Sequence, residues 1–346
     1  MHMSAAPPYQ KTIVSGTRAT GGLHLGNYIG ALSQWVKMTN ETEADTRCFF
    51  FVADLHAITT PFDPKELAHH TREITAAYIA AGLDLSKVTL FAQSAVPHHP
   101  YLQWLFGSVA QMGWLKRMTQ FKEKAGKKQE MASLALFAYP VLQAADVLVY
   151  KATHVPVGED QKQHIELSRD IAGGFNHVYG EVFPLPKPII LKEGARIMSL
   201  RDGTSKMSKS AESDMSRINL LDDAETIAQK IRKAKTDMHP VPAAPEEYED
   251  RPEAKNLLMI YSVLSAQSMS DVMAQYGGKQ FSEFKPALAD LAVEKLSPVT
   301  AEMTRLMNDP AEIDRVLVKG TETAAPIAAE VLEEAVRAMG FWKAMT

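Results

Sequence analysis

The sequence predicts an α/β fold, a parallel sheet with crossover helices, followed by an all-α helical domain. Three observations carry this prediction. Short apolar runs alternate with helix-periodic segments as far as residue 220. Past that point the strand-like runs stop and helical periodicity dominates. The charge divides at the same place. Residues 1–220 carry 23 basic and 20 acidic side chains, and residues 221–346 carry 14 and 21.

Residues 1–10 form a short proline-bearing lead, expected to be disordered and lacking the basic and apolar regions of a signal peptide. Residues 11–15 are β-branched and read as a strand. A glycine-rich stretch, 16–30, leads into a helical pattern at Leu32, Trp35 and Val36. Residues 48–52 are continuously apolar, as in a strand buried on both faces. A loop at 54–60, a helix at 64–81, a strand at 88–92 and one helix over 101–118 follow. Residues 139–148 and 160–175 read as helices and 189–191 as a last strand. Beyond the boundary, helices are expected at 224–234, 256–264, 284–296, 301–307 and 325–339, with a proline- and acid-rich loop over 237–252. The expected domains are therefore 11–220 and 221–346.

Composition narrows the class. A chain of 346 residues allows about two domains. It is 46% hydrophobic and 23% charged, which fits a globular protein and not a disordered one. One cysteine, Cys48, cannot make an internal disulfide, which points to a reducing, cytoplasmic setting. No run approaches about 18 apolar residues, so no membrane span is expected. The net charge of −4 weakens a simple basic nucleic-acid binder. Yet Lys116, Arg117, Lys122, Lys124, Lys127 and Lys128 cluster against Glu123 alone.

Two motifs carry chemistry. In Thr20-Gly-Gly-Leu-His24-Leu-Gly26-Asn27, glycines between a strand and a helix allow close approach of a phosphate to free backbone N–H groups. In Lys206-Met207-Ser208-Lys209-Ser210, two lysines on a flexible segment can close over a polyphosphate and neutralise its charge. Alone, the first reads about as well as a glycine-rich turn, and the second reads better as a solvated basic loop. The pairs His69-His70 and His98-His99 suggest metal ligands, but adjacent helical residues face different ways, so no metal site is expected.

Together the two motifs resemble the class I aminoacyl-tRNA synthetases. His24-Leu-Gly26-Asn27, followed by Tyr28 and Gly30-Ala31, looks like the bacterial tryptophanyl version. Asp54-Leu-His56-Ala-Ile-Thr59, Tyr139-Pro140 with Ala144-Ala-Asp146, Val155-Pro-Val-Gly158-Glu159-Asp160-Gln161-Lys-Gln-His164 and Gly194-Ala-Arg-Ile197 are similar to further segments of that family. The resemblance runs over most of the chain. It implies a Rossmann-like catalytic domain and a helical domain that binds the tRNA anticodon. The activity implied is tryptophan activation by ATP, with transfer to the 3′ end of tRNA(Trp). A tyrosyl-tRNA synthetase and a nucleotidyltransferase of the same superfamily are the alternatives. It also implies Mg²⁺ accompanying ATP, and a homodimer.

By the same resemblance, His24, Asn27, Lys206 and Lys209 are the catalytic group. Arg18, Ala19, Thr20, Gly26, Asn27, Gly158, Glu159, Asp160, Ile197 and residues Lys206, Met207, Ser208, Lys209 and Ser210 line the ATP site, with Lys124 an additional phosphate lysine. Asp146 receives the indole N–H, the one polar group of that ring. Tyr139, Gln143, Gln161, Val155 and Val157 complete the pocket. Val14, Gln143 and Arg18-Ala19 depart from the residues common at those positions.

Overall fold

The computed structural model describes residues 10–119, 132–158, 161–190 and 196–342. Five strands form one parallel sheet: β1 (Lys11–Arg18), β2 (Thr46–Ala53), β3 (Val88–Ala92), β4 (His154–Val157) and β5 (Lys187–Ile190), in the order β3-β2-β1-β4-β5. The order reverses between β1 and β4, which meet at the Ile13–His154 pair. In doubly wound sheets a ligand crevice opens beyond the strand C-termini at that reversal.

The sheet's two faces are read directly from strand alternation. Val14, Phe49 and Phe51 enter one core, and Ile13, Cys48, Phe50 and Val52 enter the other. Helices His98–Phe106, Leu134–Leu148, Lys162–Tyr179 and Pro310–Ala338 cover the first face. Helix Leu67–Ala80 and the end of helix Phe281–Asn308 cover the second. A third core joins Leu25, Ile197, Met207 and Ile218 to the helices Ala224–Arg232, Pro252–Ser265 and Met269–Tyr276. Helix Phe281–Asn308 spans both. Phe284 and Leu288 lie in the helical core, and Val299 and Met303 lie under the sheet.

Several expected elements differ. Strand β4 goes unread in the sequence, because it has four residues and contains Pro156. The helix expected over 101–118 is two helices, His98–Phe106 and Met112–Arg117, separated by the turn at Gly107. The helices expected at 284–296 and 301–307 are one, since Pro286 and Pro298 are accommodated inside it. Met269–Tyr276 is an additional helix, started by a capping box between Ser268 and Asp271. The last helix begins at Pro310, fifteen residues earlier than its apolar pattern suggests. Among the described residues no single helix is long and apolar enough to cross a membrane.

Candidate active site

A cavity of about 290 Å³ opens at the predicted reversal point. Strand β1 contributes Val14, Ser15, Gly16 and Arg18, and strand β4 contributes Val155, Pro156 and Val157, with Gly158 just beyond. Helix Leu134–Leu148 lays Tyr139, Gln143 and Asp146 along it, spaced as one helical face. Ser133 starts that helix by accepting the Leu136 N–H at 3.1 Å. Gln161 closes the far side. The Tyr139 hydroxyl is held by His164 Nε2 at 3.0 Å. The walls combine apolar side chains with polar ones, Arg18, His56, Gln143, Asp146 and Gln161 among them.

Asp146 is 1% exposed, yet no ionised carboxylate is buried without partners. His56 Nε2 lies 2.8 Å from Oδ2, Gln93 Nε2 donates to Oδ1 at 2.7 Å, and His99 Nδ1 lies 2.7 Å from the same oxygen. Burial pushes the carboxyl pKa up, but the hydrogen bonds from His56 and His99 outweigh it and hold the group down to about 2. Asp146 is therefore an acceptor at neutral pH. His56 comes from the turn after β2 and Gln93 from the turn after β3. Asp54 ties those turns together by accepting the N–H groups of Leu55 and Ser94.

Beside this cavity, two distant segments are stitched together. The Leu25 N–H donates to Ile218 O at 2.8 Å, and the Leu220 N–H donates to Leu23 O at 2.9 Å. His24 and Asn219 thus form an antiparallel bridge. A small hairpin links Ile197 and Met198 to Lys206 and Met207, so the segment expected to be loose is strand-like at its start. Lys209 Nζ donates to Thr20 O and to Gly21 O. His24 is 5% exposed, and Nδ1 has no partner among the described residues. Burial, then the charges of Arg217, Lys206 and Lys209, lower its pKa to about 4, so the ring is neutral at physiological pH. A Cβ at Gly26 would lie 3.1 Å from that ring, so glycine leaves His24 its place.

The expectation of free loop N–H groups needs correction. Gly22 donates to both Glu73 oxygens at 3.0 and 3.2 Å, and Leu23 donates to one of them at 3.5 Å. The His24 N–H donates to Asn27 Oδ1 at 3.1 Å. With Leu25 bonded to Ile218, amides 22–25 all have protein acceptors. Gly21 and Gly22, at φ of 59° and 62°, turn the chain toward Glu73.

A family model described as tRNA synthetases class I (W and Y) matches residues 9–297. The chain belongs to that family. It is 55% identical to a tryptophan–tRNA ligase of Caulobacter vibrioides, over 98% of this chain and 97% of the relative. It is 52% identical to one from Brucella melitensis, over 94% and 96%. A tryptophanyl-tRNA synthetase of Campylobacter jejuni, complexed with ADP and tryptophan, superposes with a TM-score of 0.81. That structure is 30% identical and covers 95% of this chain and all of its own.

In this class I synthetase scaffold the expected indole residues converge. Asp146, Tyr139, Gln143, Gln161, Val155 and Val157 all line one cavity. The expected ATP residues divide. Thr20, Gly26, Asn27, Lys206, Ser208, Lys209 and Ser210 stand around the His24 loop or on the hairpin arm. Ala19, Ile197 and Met207 are at most 2% exposed, with side chains in the cores. Met207 also gives its N–H to Ile197 O. Arg18 lines the same cavity, and its Nε and Nη2 donate to His56 O, Ala57 O and Thr60 Oγ1. Gly158 lies at the cavity rim. Lys122, Lys124, Lys127, Lys128, Glu159, Asp160 and Gly194 lie outside the described residues. Sequence reasoning missed His56, Gln93, His99 and Glu73 as site residues. For Gln93 and His99 the signal was polar side chains directly after an apolar strand and at the head of an apolar helix. Among the described residues no group of three or more His, Cys, Asp or Glu side chains could hold a metal ion.

Proposed function

We propose that this chain is a tryptophan–tRNA ligase of the class I, AMP-forming type. The observation that carries the reading is Asp146, an ionised acceptor buried beside the apolar side chains of Val14, Phe51, Val155 and Val157 in the cavity at the sheet's reversal point. An indole offers one N–H donor and a large apolar body, which matches that wall. A ligand without the donor leaves a buried carboxylate oxygen short of a partner, a loss of about 1–3 kcal/mol or more.

In the first step the tryptophan carboxylate attacks the α-phosphorus of ATP, and the bond to pyrophosphate breaks. Lys206 and Lys209 neutralise charge growing on the leaving group, and neutral His24 offers a hydrogen bond beside them. In the second step a ribose hydroxyl at the tRNA 3′ end attacks the aminoacyl carbonyl and releases AMP. Neither step uses a protein nucleophile, so positioning dominates. Mg²⁺ enters with ATP and takes most of its ligands from phosphate and water.

The reading extends to organisation. Residues 11–220 form the catalytic domain, and 221–346 bind the anticodon. Exposed Lys116 and Arg117 offer phosphate contacts to the acceptor end of tRNA(Trp). Tyr101, Trp104, Met112 and Leu134 stand exposed on neighbouring helices and support a homodimer, which sedimentation would measure. The single buried thiol fits a cytoplasmic setting. The deciding experiment is amino-acid-dependent pyrophosphate exchange. Exchange with tryptophan, lost in Asp146→Ala, is expected. Exchange with tyrosine alone would overturn the reading.

A further inference from the structure

Below the indole cavity, His99 and Tyr150 form a second layer of polar side chains. Both are 0% exposed. His99 Nδ1 reaches Asp146 Oδ1 at 2.7 Å, and His99 Nε2 reaches the Tyr150 hydroxyl at 2.8 Å. Tyr150 stacks on Phe49 of β2 with ring centroids 4.4 Å apart, so the relay rests on the sheet. Gln93 is also 0% exposed. Its Oε1 accepts the Leu55 N–H at 3.2 Å, which fixes the amide so that Nε2 faces Asp146 at 2.7 Å.

The donor directions follow from chemistry. Asp146 is ionised and only accepts, so His99 Nδ1 carries its proton toward it. Burial, then the Asp146 charge, pushes the Tyr150 phenol well above its ordinary pKa, so its O–H is retained and donates to His99 Nε2. A carboxylate has about four lone-pair sites. Gln93 and His99 fill both sites of Oδ1, and His56 fills one on Oδ2. One site, on Oδ2, is left for a ligand donor.

We propose that Tyr150, His99 and Gln93 are positioning residues for amino-acid selection: they saturate Oδ1 of Asp146 and lock the carboxylate so that Oδ2 alone accepts one ring N–H. The inference rests on the assignment of Asp146 to the indole. Tyr150 works through His99: Asp146 sets the tautomer, and the phenol O–H satisfies Nε2 and holds the ring so that Nδ1–H stays aimed at Oδ1.

The test compares tryptophan with benzothienylalanine, in which sulfur replaces the ring N–H, by pyrophosphate exchange. In the unmodified protein kcat/KM should favour tryptophan by about 10²-fold or more. Tyr150→Phe keeps the ring and its stacking. It should cut that ratio about tenfold by raising the KM for tryptophan, with kcat and the KM for ATP little changed. His99→Asn retains a donor near the Nδ1 position and should hold most of the ratio, whereas His99→Leu should lose it. A general packing defect would instead change both substrates and ATP alike. If Asp146→Asn collapses the ratio but Tyr150→Phe and His99→Leu preserve it, the positioning inference is overturned and the pocket reading stands. If Asp146→Asn itself leaves the ratio intact, the pocket reading fails first.

Discussion

The carboxylate proposed to read the indole and the lysines proposed to meet the nucleotide are held in opposite ways. Asp146, Gln93 and His99 are at most 1% exposed, and each bonds to others in the network. Lys206 and Lys209 are exposed, and Lys209 reaches only the carbonyls of Thr20 and Gly21. The contrast fits their tasks. A group that discriminates between ligands gains from being fixed before the ligand arrives. Groups that stabilise a leaving pyrophosphate must admit ATP first and close later. On the proposed reading the site combines a prebuilt selector with a charge clamp made by bringing residues 20–27 and 197–220 together.

The comparison can be broken at its rigid end first. Asp146→Ala removes the acceptor and leaves His56, Gln93 and His99 without their shared partner. The kcat/KM for tryptophan in pyrophosphate exchange should fall about 10²-fold or more, and stability should fall by about 3–5 kcal/mol in denaturant titration. At the exposed end, Lys209→Ala should lower kcat by about 10²-fold while leaving the KM for tryptophan and the melting temperature nearly unchanged. If Lys209→Ala destabilised the fold as much as Asp146→Ala, the contrast would be wrong.

A smaller effect is expected between the two. Glu73→Gln keeps one acceptor for Gly22 and Leu23 but removes the countercharge near Lys209. The KM for ATP should shift severalfold with tryptophan binding unaffected, as read by steady-state exchange. The smallest effect is in pH. The folded His24 titrates near 4 against an ordinary 6.5, so folding favours the neutral ring. Its contribution to stability is full above about 6.5 and declines as pH falls toward 4. Proton NMR of the His24 ring should show no titration between pH 6 and 8. Asp146 works over a lower window, its stabilisation being lost as pH drops from 3.8 through about 2.

The same contrast explains what could be read from residues alone. Asp146 was legible because an acid among Ala, Ala, Val and Leu on an apolar helix has no bland place to sit. The parallel sheet was legible in its buried strands, Cys48 to Val52 above all. His99, Gln93 and Glu73 were not legible, since their partners are 47 to 53 residues away and only folding selects them. The glycine loop misled because its glycines do serve a close approach, but to Glu73 and to the ring of His70, which a Cβ at Gly21 would strike. The two helices read over 284–296 and 301–307 are one, because tertiary packing carries the helix through Pro298, which lies between them.

Strand β3 is one edge of the sheet, and an uncovered edge pairs readily with other chains. The last long helix lies against it, with Gly320 so close to the Leu90 carbonyl that a Cβ would sit 1.9 Å from the oxygen. On a ribosome β3 emerges some 230 residues before that glycine. At roughly 5–20 residues per second the edge waits on the order of 10–50 s for its cover. During translation the nascent protein therefore passes through a window of adhesiveness that ends only when helix Pro310–Ala338 is made. A single methyl group at position 320 would keep that window open in the finished molecule.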